Sequence, residues 1–160
     1  MATKPSVRSA TAADGPVIAT FNALMALETE QRNLDHETLR RGVEAVLSNP
    51  SKGTYYIAEL DGTVVGQLLI TYEWSDWRNG MFWWIQSVYV REEYRNKGIF
   101  KTLFRHVESE SKRHSGVAGL RLYVEKENTK AKQTYERLSM KKTPYEIYEI
   151  DYVLTDGKKS

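Results

Sequence analysis

Cysteine is absent from this chain of 160 residues, and charge of one sign is hardly in excess. Without a thiol there is no disulfide framework, no thiolate zinc site and no cysteine nucleophile. The 23 Lys and Arg outnumber the 21 Asp and Glu by two, which argues against a general binder of nucleic acid or of anionic membranes. With 10 Gly and 4 Pro, the composition also excludes collagen-like and low-complexity chains.

Long hydrophobic runs are missing as well. No stretch approaches the roughly 20 apolar residues of a membrane span, and the first residues lack the apolar core of a secretory signal. We therefore expect a cytoplasmic protein without membrane or nucleic-acid partners. His36, His106 and His114 are not spaced as metal ligands, so we predict no metal site.

What the chain does contain is an ordinary globular composition, with 41% apolar residues and an unusual 4 Trp and 10 Tyr. The length is that of one domain. We predict a single domain over residues 1–160, with a folded core of about residues 5–155 and a frayed tail from Asp156.

Hydrophobic periodicity and turn residues predict the element order β-α-α-β-β-β-α-β-α-β. This is an α/β (α+β) fold with a mixed, mostly antiparallel central sheet flanked by helices. The predicted strands are residues 7–10, 54–60, 64–72, 81–90, 120–124 and 145–154. The predicted helices begin near Thr11, Asp35, Gly98 and Thr129, and Asp35 is a candidate N-cap.

A strand that runs through a basic turn into an amphipathic helix stands out at residues 88–100. A helix N-terminus presents amide donors and the positive end of the helix dipole, so it can hold a phosphate. Gly98 lets the backbone approach such a ligand, and Arg95, Lys97 and Lys101 add positive charge. On this pattern alone, an ordinary turn with solvated basic residues remains the alternative.

Arg95-Asn96-Lys97-Gly98-Ile99-Phe100 resembles the Arg/Gln-x-x-Gly-x-Gly/Ala loop of the GCN5-related N-acetyltransferase (GNAT) superfamily. About thirty residues later, residues 122–128 followed by Ala131 and Tyr135 are similar to the next conserved block of that family. The resemblance implies the acyl-CoA N-acyltransferase fold and an enzyme that passes the acetyl group of acetyl-CoA directly to an amine. The absence of cysteine and of a plausible Ser-His-Asp set agrees with this.

The resemblance also implies roles for individual residues. The backbone around Val88 and Val90 would pair with the pantetheine arm, and an amide near Val88 would polarise the thioester carbonyl. Tyr135 would be the general acid that protonates the departing thiolate. The implied coenzyme-binding set is Val88, Tyr89, Val90, Arg95, Asn96, Lys97, Gly98, Ile99, Phe100, Lys101, Asn128, Ala131 and Tyr135.

Two positions depart from the family pattern. Phe100 stands where Gly or Ala is usual, so its ring must point away from the phosphates, beside Phe104. Gln86 stands where many relatives carry a Glu that serves as general base. The alternative bases are Glu28, Glu30, Glu73, Asp76 and Tyr89. The missing Glu keeps open a second hypothesis, an acyl-CoA-binding module without turnover.

Aromatic and acidic residues are concentrated in residues 72–84. Aromatic faces and carboxylates attract ammonium groups, and the segment is loosely similar to the corresponding turn of diamine (spermidine/spermine-type) acetyltransferases. We therefore expect a small cationic amine as acceptor. A packed hairpin, and a protein N-terminal or lysine acetyltransferase, remain alternatives. The resemblance further implies a homodimer formed at the closing strand.

Overall fold

A computed structural model describes residues 3–155 of the chain. They form two compact units, one ending at Leu122 and one beginning at Tyr123. The first unit contains β1 (Ser6–Ser9), α1 (Gly15–Glu30), α2 (His36–Ser48), β2 (Thr54–Leu60), β3 (Thr63–Ser75), β4 (Gly80–Val90), α3 (Ile99–Arg113) and β5 (Val117–Arg121). The second contains α4 (Thr129–Arg137), and the prediction of one domain over residues 1–160 stays a prediction.

The five strands of the first unit form one sheet in the order β1-β2-β3-β4-β5. The β1-β2, β2-β3 and β3-β4 pairs are antiparallel, and β5 lies parallel to β4. The predicted mixed, mostly antiparallel sheet is confirmed. The antiparallel neighbours follow one another directly in the sequence, whereas α3 makes the crossover that a parallel strand requires.

Helices cover both faces of this sheet. On one face, Tyr55 and Ile57 of β2 pack with Ile18 of α1 and Val43 of α2. The side chain between them, Tyr56, points to the opposite face because successive strand residues alternate. There its ring meets a histidine of α3 with the centroids 5.3 Å apart. The first unit is therefore a three-layer sandwich of helices, sheet and helix.

An ion-pair cluster connects β1 with the start of α1. Arg8 donates two hydrogen bonds to Asp14, at 2.7 and 2.9 Å, and one of 2.7 Å to Glu59 on β2. Asp14 also accepts a hydrogen bond from the Thr11 amide at 2.7 Å. The hydrogen bonds from Arg8 lower the pKa of the Asp14 carboxyl to about 2, against the opposing effect of burial.

Other helix boundaries follow their local signals. Asp35 accepts a hydrogen bond of 2.8 Å from the Thr38 amide, as predicted for the N-cap of α2. Asn128 accepts one of 3.1 Å from the Ala131 amide and begins α4 in the same way.

Two predicted strands differ from the structure. The predicted strand 120–124 is β5, but it lies earlier, at Val117–Arg121. The predicted strand 145–154 is wrong: no strand is assigned there, and its apolar side chains are exposed. Alternation of apolar and polar residues specifies a face, but a strand also needs a partner, and the described part of the second unit contains none. The predicted tail from Asp156 lies outside the described residues.

Candidate active site

One edge of β4 is open over its second half. The parallel pairing of β4 with β5 ends where Trp84 faces Arg121. On its other side, β4 pairs with β3 as far as Val90, which faces Gly66. In the sheet formed by residues 3–155, residues 85–90 therefore have a neighbouring strand on one side and none on the other. An edge without a neighbouring strand is one to which an extended ligand can pair.

A β-bulge interrupts β4 within this open stretch. Two residues of β4, Ser87 and Val88, face the single residue Leu68 of β3. Ser87 has φ 50°, in the left-handed region that side chains other than glycine adopt at a cost of about 1–2 kcal/mol. The pairs on either side of the bulge are Gln67 with Tyr89 and Leu69 with Gln86. The extra residue puts Gln86 and Tyr89 on the same face of the sheet, the face that α1 covers.

A buried polar network lies against the bulge, and the sequence-based prediction did not include it. Gln67 is fully buried, and its Nε2 donates to Asn22 Oδ1 at 2.8 Å and to the Ser87 carbonyl oxygen at 3.1 Å. Asn22 Nδ2 donates in turn to the Tyr55 hydroxyl at 3.2 Å. The signal for this network is the single Gln within an otherwise apolar strand, Val64-Val65-Gly66-Gln67-Leu68-Leu69-Ile70.

The loop that follows β4 has the shape expected of a turn into a helix N-terminus. Asn96 has φ 62°, Gly98 has φ 80°, and α3 begins at Ile99. A Cβ atom at Gly98 would meet no heavy atom within 4 Å, so the backbone conformation, and no close contact, is what favours glycine there. The first turn of α3 thus presents its unpaired amides at the end of the loop that follows β4.

The cationic side chains of the loop are placed as follows. Arg95 forms a 2.8 Å ion pair with Glu28 and donates a hydrogen bond of 2.9 Å to the Val90 carbonyl oxygen. Lys97 donates one of 2.9 Å to a backbone carbonyl of the loop, whereas Lys101 is exposed on α3. Their positive charges remain at the rim of the turn. The Phe100 ring packs beside Phe104 with the centroids 6.1 Å apart, as expected.

Two of the predicted base candidates, Glu28 and Tyr89, lie together. The Tyr89 hydroxyl donates to Glu28 Oε1 at 3.4 Å, and Arg95 lies over the Tyr89 ring with its Cζ 5.4 Å from the centroid. Burial raises the pKa of the Tyr89 phenol, and the neighbouring Glu28 carboxylate adds to the increase. This cluster joins the end of α1, the open stretch of β4 and the loop.

The side chains of the other candidate bases each form an ion pair or a hydrogen bond with a nearby group. Glu73 forms a 2.6 Å ion pair with Arg121, and Glu30 forms one of 3.7 Å with Arg32. Asp76 accepts a hydrogen bond of 2.9 Å from the amide of the next residue. Gln86, at the usual place of the family Glu, donates its amide to a threonine hydroxyl of β3. Glu28 and Tyr89 are thus the pair of candidate bases joined to each other by a hydrogen bond.

The aromatic cluster of residues 72–84 forms the end of the β3-β4 hairpin. Cations of the chain already occupy part of it: the Arg121 Cζ lies 3.7 Å and the Arg78 Cζ 4.8 Å from the Phe82 ring centroid. Trp74 and Trp77 are 58% and 86% exposed. Their exposed faces, and not Phe82, can therefore receive a further cation.

The second unit carries the remaining predicted residues on α4. Asn128, Ala131 and Tyr135 lie at helical spacing along one side of this helix. Burial raises the pKa of the Tyr135 phenol, which keeps the side chain protonated over a wider pH range. Ser139, which stands at the family glycine position, has φ 68°, the left-handed conformation that usually ends a helix at glycine.

Comparison with known proteins now adds to this geometry. Residues 20–140 match the family described as Acetyltransferase (GNAT) family. A solved structure of a possible acetyltransferase from Clostridium difficile 630 is 47% identical, covers 93% of this chain and 98% of that chain, and gives a TM-score of 0.86. The chain belongs to the GNAT acetyltransferase family.

Two more distant structures share the fold of this GNAT protein. A GCN5-related N-acetyltransferase from Ralstonia eutropha JMP134 is 19% identical, with a TM-score of 0.73 over 92% of this chain and 99% of that chain. A ribosomal-protein-alanine N-acetyltransferase from Brucella melitensis biovar Abortus 2308 is 17% identical, with a TM-score of 0.75 over 94% and 100%. No curated protein matches the sequence.

The family assignment confirms the predicted fold and the predicted activity, acetyl-CoA-dependent N-acetyl transfer, with acetyl-CoA as co-substrate. The roles of individual residues stay predictions. Within residues 3–155, no group of three or more His, Asp or Glu side chains is arranged to hold a metal ion. In the same range, no helix combines the length and apolar character that crossing a membrane demands.

Proposed function

We propose that this GNAT protein acetylates a small cationic amine, with the coenzyme bound along the open stretch of β4. The observation that carries the proposal is the end of β5 pairing at Trp84, which leaves residues 85–90 with a free edge immediately before the loop. An amide-containing pantetheine arm can add to such an edge as an extra strand. The backbone of Val88, Tyr89 and Val90 would supply its hydrogen bonds.

The pyrophosphate would lie at the start of α3. Backbone amides from Asn96 to Lys101 lie in the turn and first helical turn, where the positive end of the helix dipole favours an anion. Arg95, Lys97 and Lys101 would contribute mainly through charge, since the first two side chains already bind groups of their own chain.

The proposed reaction is a direct transfer. The neutral amine nitrogen attacks the thioester carbon, the C–N bond forms, and the C–S bond breaks as the thiolate leaves. The Val88 N–H would stabilise negative charge on the carbonyl oxygen. Tyr135 would give its proton to the thiolate. The amine would lose a proton to Glu28, directly or through Tyr89, because this pair is next to the bulge and Gln86 cannot act as a base.

The acceptor would first meet the protein near the end of the β3-β4 hairpin, about 23 Å along β4 from Val88, since Met81 and Val88 are seven residues apart in this strand. Trp74 and Trp77 expose aromatic faces there, beside the carboxylates Glu73 and Asp76. An aromatic face attracts an ammonium group by about 0.5–1 kcal/mol at an exposed site. Trp77→Ala should therefore raise KM for the amine severalfold, whereas Trp77→Phe should keep most of the affinity because it retains an aromatic face.

Calorimetry and a thiol-release assay test the proposal together. The wild-type protein should bind coenzyme A and acetyl-CoA, and it should release thiol faster with putrescine or spermidine than with a peptide that offers a free N-terminus or a lysine. Preference for the peptide would contradict the small-amine proposal and support a protein acetyltransferase. Coenzyme binding without thiol release for any acceptor would support a binding module, the reading that Gln86 keeps open.

We also propose a homodimer, supported by the apolar residues of the second unit. Tyr148 and Ile150 are 92% and 79% exposed. A second copy of the chain could cover them. Tyr148→Lys with Ile150→Lys should halve the mass measured by sedimentation, whereas Glu149→Lys, which removes no apolar side chain, should not; an unchanged mass would contradict this. The cytoplasmic location stays a prediction of the sequence.

A further inference from the structure

We infer that Gln67 is a positioning residue for the reaction: its side-chain amide holds the Ser87–Val88 peptide so that the Val88 N–H faces the thioester carbonyl. The inference rests on the proposed function, in which that N–H stabilises negative charge. It assigns a role to a core residue of β3 that lies outside the coenzyme-binding loop and outside the acceptor cluster.

The geometry of one peptide group carries the first step. A peptide bond is planar and trans, so its carbonyl oxygen and its N–H point in opposite directions. Gln67 Nε2 lies 3.1 Å from the Ser87 carbonyl oxygen, and Gln67 belongs to β3. The same contact therefore turns the Val88 N–H away from Gln67 Nε2, and we place this N–H at the edge of β4 where pairing with β5 has ended.

The orientation of the Gln67 amide is itself determined by its surroundings. A primary amide has two N–H donors, and Gln67 uses both, one for the Ser87 carbonyl and one for Asn22 Oδ1 at 2.8 Å. The reversed amide would set its oxygen against the Ser87 carbonyl oxygen. Asn22 is held by the Tyr55 hydroxyl at 3.2 Å, so residues of α1, β2 and β3 together orient the donor.

This arrangement leaves the Gln67 oxygen without a partner. Among the described residues, no group donates to the buried Gln67 Oε1, and a buried acceptor without a hydrogen bond destabilises a folded protein. An apolar side chain such as Met would fill the same space without that cost. We explain the presence of Gln at residue 67 by its two N–H donors. They orient the Ser87 carbonyl and, through the planar peptide, the Val88 amide.

The strained backbone of Ser87 at the bulge also supports this role for Gln67. Ser87 has φ 50°, a conformation that persists only when surrounding contacts impose it. Gln67 supplies such a contact from the neighbouring strand. Without this contact, the Ser87–Val88 peptide can rotate. The Val88 N–H then faces the developing negative charge in only some of the conformers.

The test compares Gln67→Met with Ile57→Val in the full chain. Met has a similar length but no donor. Ile57 faces Gln67 from β2 and is fully buried, so its loss of a methyl group reports a loss of packing beside Gln67 that removes no donor. The measurements are kcat and KM with acetyl-CoA and spermidine, the Kd values of coenzyme A and acetyl-CoA from calorimetry, and the Tm.

For Gln67→Met we expect kcat to fall by about 10- to 100-fold, less than the roughly 10²- to 10³-fold that removal of an oxyanion donor causes. The Kd of coenzyme A, which has no thioester carbonyl, should change less than about threefold, whereas any preference for acetyl-CoA over coenzyme A should shrink. Ile57→Val should lower Tm by about 2–4 °C and leave kcat unchanged.

A folded Gln67→Met variant with unchanged kcat and unchanged preference for acetyl-CoA would overturn the role of Gln67, while the wild-type activity would still support the proposed function. Failure of the wild type to bind either coenzyme would overturn both. If Gln67→Met does not fold, the amide NMR signal of Val88 in the wild-type protein tests the inference instead. Acetyl-CoA should move it further downfield than coenzyme A does, and equal shifts would contradict the inference.

Discussion

Gly98 offers the sharpest test of the coenzyme-binding loop because backbone strain and charge can be separated there. Its φ of 80° lies in the left-handed region, yet a Cβ atom at this position would meet no heavy atom within 4 Å. Any replacement therefore carries a conformational cost of about 1–2 kcal/mol without a steric clash in the free protein. At about 2–4 °C per kcal/mol for a chain of this length, Tm should fall by about 2–8 °C.

Gly98→Gln and Gly98→Glu should both lose this stability, to within about 1 kcal/mol of each other because the helix dipole favours Glu, and they should differ more in coenzyme binding. Both side chains have the same shape, but only Glu places a negative charge at the start of α3. Two unit charges 4 Å apart interact by about 1 kcal/mol in water and about 4 kcal/mol near a protein surface. Repulsion of the pyrophosphate should therefore weaken binding by Gly98→Glu roughly fivefold to several-hundredfold more than binding by Gly98→Gln.

Calorimetric titration of coenzyme A into the three proteins at low and high salt measures this difference. The gap between the Glu and Gln variants should narrow as salt rises, because screening shortens the range of the repulsion. A similar loss of Tm shows that the two variants differ in charge alone. Equal Kd values for the Gln and Glu variants at low salt would refute the assignment of the pyrophosphate to this turn.

Three further predictions concern the proposed acid, the proposed base and the ion-pair cluster. Tyr135→Phe should lower kcat by about 10²–10⁴-fold in the thiol-release assay and spare coenzyme affinity; unchanged kcat would remove Tyr135 as the acid. Glu28→Gln should lower kcat by at least about tenfold, with Glu30→Gln as the unaffected control from the same helix end; equal effects would contradict the assignment. Asp14 has its pKa lowered from 3.8 to about 2, so its contribution is present above pH 3.8 and is lost as the pH falls through about 2. Allowing for a 39% exposed Arg8 side chain, Asp14→Asn should cost about 1–2 kcal/mol at pH 6 and only a small fraction of that at pH 2 in denaturant unfolding, and a constant cost would refute this.

Local signals in the sequence were sufficient to predict most of the helices and strands of the first unit. Asp35 begins α2 by the side-chain hydrogen bond that its position predicts. The Asp61-Gly62 turn joins β2 to β3, and the strand-turn-helix pattern through Gly98 leads into α3. Each of these features depends on residues close in sequence, so periodicity and turn chemistry were enough.

The bulge and the buried network could not be predicted in the same way. The position of a bulge depends on the register between two strands, and a Gln in an apolar strand does not show which carbonyl it will meet. The segment 145–154 shows the opposite case. Its alternation of apolar and polar residues is typical of a strand, but the pattern does not show which other strand it would pair with. What the sequence lacked in each case was the identity of the neighbouring chain segment.

In the proposed mechanism, the bulge explains why residue 86 need not be a carboxylate. By adding one residue between the pairs at Gln86 and Tyr89, it places both side chains on the face covered by α1. A side chain of α1 can then reach the same region as a side chain of β4. Glu28, at the end of α1, reaches it because its carboxylate accepts a hydrogen bond from the Tyr89 hydroxyl. Gln86 can therefore bind a β3 hydroxyl without loss of a base from that face. If Glu28 serves as the base, Glu28→Gln should lower kcat in the thiol-release assay, and adding Gln86→Glu should not restore it.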